Sequence, residues 1–162
     1  MVFAKTSKAA ARLSEQVRNK TFKKEYLAIV DGKFENEKGI LENFLLKTER
    51  TNTSKVVKEG TKNSKYAKLD YEVLKYNEEI NLSLVRVLLH TGRHHQIRVQ
   101  LANAGHSICG DQKYGTRGRG KQISLWAYKL TIEHPITKKK LEFTSIPEKI
   151  GSWIILENVV IS

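Results

Sequence analysis

Leu88-Leu89-His90-Thr91-Gly92-Arg93-His94-His95-Gln96-Ile97-Arg98 changes character halfway along. Its first residues close an apolar run, residues 82–90 (LSLVRVLLH), rich in the Leu and Val of a buried strand. Thr91-Gly92 breaks that run. Ile97, Leu101 and Ala104 then recur at helical spacing, with Gly105 as a C-terminal stop, so a helix is expected over residues 94–104. The stretch therefore reads as buried strand, tight turn, short helix, and the rest of the chain has to supply a sheet for that strand.

Upstream, Ala67, Leu69, Tyr71 and Val73 alternate with polar residues. This predicts a strand with one wet face, joined through Asn77-Glu78-Glu79 to the buried strand as an antiparallel hairpin. Residues 25–30 (EYLAIV) form another strand, ended by Asp31-Gly32. Residues 6–19 read as a helix capped by Thr6 or Ser7, with Ala10, Leu13 and Val17 on one face. Residues 35–65 are polar and weakly periodic, and read as a loop or loose hairpin with a cationic surface that includes Lys55 and Lys58. Downstream, residues 125–133 and 140–145 form a hairpin around Pro135-Ile136-Thr137-Lys138. Residues 150–161 are apolar and fit helix or strand equally. Strands and helices without strict alternation predict an α+β fold: a mixed, mostly antiparallel sheet with flanking helices.

The 162 residues carry no Pro- or Gly/Ser-rich linker and no repeat, so 1–162 is expected to be a single domain. No run approaches the roughly 20 apolar residues of a membrane span. A lone cysteine, Cys109, excludes an internal disulfide and a multi-cysteine zinc site, and a cytoplasmic setting is the expectation. Lys and Arg number 29 against 17 Asp and Glu, a net charge of +12. That excess points to a polyanionic partner, of which nucleic acid is the commonest; the plainer reading is a chain kept in solution by its lysines.

The chemistry-bearing residues cluster around the opening stretch. Arg93, His94 and Arg98 surround a predicted helix N-terminus, where cations cost stability unless an anion answers them. A phosphate or carboxylate partner follows, with an internal salt bridge as the alternative. His90, His94 and His95 do not make a metal site: Gly92 breaks any helix common to the first two, and the adjacent pair points to different faces. Gly110-Asp111-Gln112-Lys113-Tyr114-Gly115 is a glycine-fixed turn, in which Asp111 is a turn former or a catalytic carboxylate. Arg117, Arg119 and Lys121 follow in a Gly-rich cationic loop suited to phosphate, or simply a surface loop. Tyr26 fits a core position or a ring presented to a nucleobase.

Taken together, these motifs resemble the RluA-type pseudouridine synthases. Thr91-Gly92-Arg93-His94-His95-Gln96-Ile97-Arg98 follows that family's T-G-R-x-H-Q-I/L-R, and residues 105–115 follow its G-H-x-I-x-G-D-x-x-Y-G. Phe3-Ala4-Lys5-Thr6, Lys24-Glu25-Tyr26-Leu27-Ala28 with Gly32, and Leu125-Trp126-Ala127-Tyr128-Lys129-Leu130 with His134-Pro135 agree in order, Trp126 standing where His is usual. The likeness runs from residue 2 to about residue 147; residues 148–162 match nothing in the pattern.

The resemblance implies an enzyme that breaks the uridine glycosidic bond in rRNA or tRNA, turns the base and rejoins it through carbon, with no metal or organic cofactor. It places Tyr26 at the tyrosine that contacts uracil, a candidate for removing the C5 proton, and Arg98 at the arginine that pairs with an essential Asp. His94, His95, Arg93, Lys55, Lys58, Arg117, Arg119 and Lys121 are the candidate RNA contacts. The family's H-R-L-D segment is absent, and Asp31, Asp70 and Asp111 are the chain's aspartates. The expectation is a catalytic domain truncated at its N-terminus and inactive alone, with a non-catalytic RNA-binding remnant as the alternative. A metal-dependent nuclease is the reading from another class. Arg98 must then be exposed, re-paired or neutralised by an anion, and self-association or pairing with a separate N-terminal piece is expected to cover the exposed edge.

Overall fold

The computed structural model describes residues 2–115 and 122–161. Its centre is one seven-stranded sheet. The strands are β1 (Lys23–Asp31), β2 (Lys38–Thr48), β3 (Thr53–Val57), β4 (Lys65–Asn77), β5 (Leu82–Leu89), β6 (Leu125–Glu133) and β7 (Lys140–Thr144). They lie in the order β3-β2-β4-β5-β1-β6-β7, and each of these pairings is antiparallel. The α+β reading holds, and so do the β4–β5 and β6–β7 hairpins.

Period-two alternation divides the apolar residues between the two faces of the sheet. In β1, Leu27 and Ile29 join Leu82, Leu84 and Tyr128 in one cluster. Ala28 and Val30 join Leu69, Val85 and Val87 in the other. The first cluster is covered by the tail, whose Gly151–Leu156 forms a 3-10 turn that buries Ile155 and Leu156. The second is covered by the helix α2 (Gln96–Asn103), which inserts Ile97 and Leu101.

Residues 35–65 are more regular than their composition predicts. They hold β2, a 3-10 turn (Glu49–Thr51) and β3. β2 also pairs with β4 from Lys38↔Glu72 to Leu45↔Lys65. The hairpin sits at the edge of the sheet and buries Leu45 against Val99 of α2 and Ala67. Because only one of its faces is covered, Lys, Asn and Glu dilute the apolar periodicity.

The first helix, α1 (Ser7–Arg18), starts where expected: Thr6 Oγ1 accepts from Ala9 N at 3.2 Å. It is tied down by polar contacts. Gln16 is buried, donates from Nε2 to Glu133 O at 2.8 Å and accepts from Glu133 N at 2.9 Å. Arg12 donates to Pro135 O at 2.7 Å.

Candidate active site

α2 begins two residues later than the apolar spacing predicts. His95 occupies the N-cap in the left-handed region, φ 53°, so the helical turn starts at Gln96. The loop before it is bolted to β4 through the buried Gln96. Gln96 Oε1 accepts from Thr91 Oγ1 at 2.8 Å and from Arg93 N at 3.0 Å, while Nε2 donates to Lys68 O at 3.0 Å. These bonds set the direction from which Arg98 leaves the helix.

After α2 the chain returns along the end of β1. Val30 bridges Ile108, and Cys109 N donates to Ile29 O at 2.8 Å. Gly110 then turns with φ +77°, and Gln122 O lies 2.1 Å from where a Cβ would stand, so only glycine fits. This turn delivers Asp111 beneath Arg98. Arg98 Nε donates to Asp111 Oδ2 at 2.8 Å and Nη2 to Oδ1 at 2.6 Å, a bidentate pair. Asp111 Oδ1 also accepts from Lys113 N at 2.9 Å and Tyr114 N at 3.1 Å. The Asp111 side chain is 0% exposed. Burial alone would raise its pKa, but the Arg98 hydrogen bond, the two backbone amides and the Arg98 charge together hold it below the usual carboxylate range. Turn former and ion-pair partner are thus the same residue, and of the three fates open to Arg98 the structure shows re-pairing.

Two further contacts hold the guanidinium. Arg98 Nη1 lies 3.2 Å from His95 Nε2, and Arg98 stacks over the Tyr114 ring with 5.1 Å to its centroid. His95 Nδ1 is 3.0 Å from Tyr114 Oη, which accepts from Ser54 N at 2.6 Å. Ser54 Oγ in turn donates to His94 O at 2.8 Å and lies 3.0 Å from His94 Nδ1. Burial, reinforced by Arg98 and the neighbouring cations, pulls the His95 pKa down to about 4. Burial first, and Lys47 and Lys113 after it, lower that of His94.

Tyr26 stands on the α2 side of the sheet, packed against the cluster that contains Ile97 and Leu101. It borders a groove of about 620 Å³ that Val2, Phe22, Leu130 and Phe143 also line. Burial raises its pKa. The remaining candidates scatter. Arg93 Nε donates to Tyr66 O at 2.8 Å, which ties it to β4. Lys55 pairs with Leu46 in a register that turns it to the sheet face opposite Ser54 and α2. Lys58 is exposed beyond β3. Arg117, Arg119 and Lys121 lie outside the described residues. His90 Nε2 meets Asp70 Oδ2 at 2.6 Å, and among the described residues no group of three or more His, Cys, Asp or Glu is placed to hold a metal. No helix among the described residues is long and apolar enough to cross a membrane.

Comparison with known proteins decides the family. Residues 1–103 match the family model described as RNA pseudouridylate synthase. The chain belongs to the RluA-type RNA pseudouridine synthase family. Its relatives include the uncharacterized RNA pseudouridine synthase YhcT of Bacillus subtilis, 39% identical over 85% of this chain and 45% of that one. The ribosomal large subunit pseudouridine synthase C of Haemophilus influenzae is 33% identical over 90% of this chain and 47% of the relative. The chain thus spans about half the length of these curated relatives. Among solved structures, the human RNA pseudouridylate synthase domain containing 1 shares the fold, with a TM-score of 0.75 at 23% identity over 93% of this chain and 64% of that one. Family members are pseudouridine synthases, which are isomerases.

Proposed function

We propose that this chain supplies the Tyr–Arg half of a pseudouridine synthase site acting on uridine in rRNA or tRNA in the cytoplasm, and that the nucleophilic carboxylate comes from a separate segment. One observation carries this reading. A guanidinium has five N–H donors, and the contacts to Asp111 and His95 use three of them. Among the described residues nothing takes the other N–H on Nη1 or the other on Nη2, enough to hold a second carboxylate. Asp31 and Asp70 are engaged elsewhere, with Ser107 and His90, and Asp111 is the partner that Arg98 already has.

In this reading the uridine is flipped out of its RNA context into the groove beside Tyr26. The supplied carboxylate, oriented by Arg98, drives cleavage of the N1–C1′ bond. The base turns, C5 bonds to C1′, and the C5 proton leaves. A tyrosine phenol is protonated at neutral pH and burial raises the Tyr26 pKa further, so it meets the uracil as a neutral contact and takes the C5 proton only as its own is passed on. The net charge of +12 supplies RNA affinity that weakens with salt. The groove and the open sheet edges are covered by the segment that carries the carboxylate, or by self-association.

The test is release of tritium from RNA labelled at uridine C5, with and without an added N-terminal segment containing R-L-D. Release only with the segment, lost in Tyr26→Phe, is the expected result. No release with the segment present, while RNA retention stays salt-sensitive, overturns catalysis in favour of an RNA-binding remnant. Light scattering addresses the partner: a clean monomer at high concentration, unchanged by the segment, contradicts the pairing.

A further inference from the structure

The most connected hydroxyl near Arg98 belongs to a residue that this mechanism leaves idle. Tyr114 Oη joins three parts of the chain: the backbone of Ser54 on the edge hairpin, the ring of His95 at the start of α2, and through that ring the guanidinium of Arg98. The direction of each bond follows from donor inventory. Arginine only donates, so His95 Nε2 must accept from Arg98 Nη1. A neutral His95 then carries its proton on Nδ1 and donates it to Tyr114 Oη. Ser54 N is a donor too, so Tyr114 Oη accepts twice. The Tyr114 ring meanwhile lies under the same guanidinium.

We propose that Tyr114 is a positioning residue: by anchoring the His95 ring through its hydroxyl and supporting the Arg98 guanidinium on its ring, it aims the two N–H groups of Arg98 that no described residue takes at the incoming carboxylate. Asp111 grips one side of the guanidinium, and His95 with Tyr114 controls Nη1 and the plane. Ser54 makes the edge hairpin part of this device, because its N–H fixes where the Tyr114 hydroxyl sits. The proposal rests on the pseudouridine synthase reading of Arg98, and its test separates the two.

Steady-state tritium release is measured with the carboxylate-bearing segment added, for the wild type, Tyr114→Phe and Tyr76→Phe. Tyr76 donates its hydroxyl to Asn81, away from Arg98, and controls for removal of a tyrosine hydroxyl. Small misplacement of a reacting group lowers turnover more than binding. Tyr114→Phe is therefore expected to lose about 10-fold in kcat with KM within about twofold, and Tyr76→Phe to match the wild type. Wild-type kinetics in Tyr114→Phe, or a loss confined to KM, overturns the proposal. A second readout needs no turnover: solvent exchange of the Arg98 Nε–H, followed by nitrogen-resolved NMR. Exchange accelerated about 10-fold in Tyr114→Phe supports positioning, and unchanged exchange contradicts it. Absence of tritium release from the wild type defeats the pseudouridine synthase reading, and the exchange measurement still decides the positioning. Should Tyr114→Phe fail to fold, His95→Asn breaks the same chain at its next link, and Asn tolerates the left-handed backbone there. The same kcat loss is then expected, and its absence overturns the proposal.

Discussion

The two α-helices among the described residues invert their sequence patterns. α1 carries the clean apolar stripe of Ala10, Leu13 and Val17, yet Val17 remains 53% exposed, and Gln16 is the one buried residue of the helix. α2 lacks a clean apolar stripe, and it buries five of its eight positions, Gln96 and Gln100 among them. α1 is held by three side-chain hydrogen bonds from Gln16 and Arg12. α2 is held by core packing and by side-chain amide hydrogen bonds: Gln100 Nε2, for example, donates to Asn43 Oδ1 at 2.8 Å, while the buried Gln100 Oε1 has no partner among the described residues. An amphipathic stripe shows that a helix can form. It does not show how deeply the helix is buried. The deeply set helix is the one that carries Arg98.

That contrast puts the largest expected losses on the α2 side. Asp111→Ala strands a largely buried guanidinium, and an unfolding titration should show about 3–5 kcal/mol lost. Leu101→Ala, at a fully buried position of α2, should cost about 3 kcal/mol by the same measurement. An Asp111→Ala loss under about 1 kcal/mol would mean that the pair is dispensable to the fold.

A pH effect comes next. His95 titrates near 4 in the folded chain and near 6.5 when unfolded. The unfolded state therefore binds the extra proton first, and stability falls as pH drops from about 6.5 toward 4. Urea midpoints at pH 7 and pH 5 should differ in the wild type and differ less in His95→Asn. Equal differences in both would contradict burial of a neutral His95. On the α1 side effects shrink: Gln16→Ala should cost about 1 kcal/mol, and Val17→Ala about 0.5 kcal/mol or less. A Val17→Ala loss above about 2 kcal/mol would show that something covers that stripe in solution.

Much of the sheet is legible in the chain. β1, β4 and β5 announce themselves because each presents apolar residues to a covered face, and β6 and β7 flank a visible turn at Pro135. β2 and β3 do not, because an edge hairpin covered on one side needs few apolar residues. The tail is ambiguous as a pattern because its Ile155 and Leu156 pack as a 3-10 turn against the sheet, a short form with neither period. At the candidate site, the family motif points to Arg98 and Tyr26. The pairing of Arg98 with Asp111 is not, since it spans 13 positions and depends on the Gly110 turn. Ser54 carries no signal at all: its backbone N–H meets Tyr114 and its hydroxyl meets His94 only once the edge hairpin has folded. Lys55, next to it, looks equally cationic on paper and is turned away by the two-residue period of the strand.

In the proposed site Asp111 is the fixed partner that holds Arg98 for a second carboxylate. A double-mutant cycle on unfolding free energy, with Arg98→Met, Asp111→Leu and the pair together, tests it most directly. The prediction is a coupling of about 2–3 kcal/mol, with the double variant more stable than Asp111→Leu alone because the stranded charge is gone. A coupling below about 0.5 kcal/mol, with losses that simply add, would contradict it.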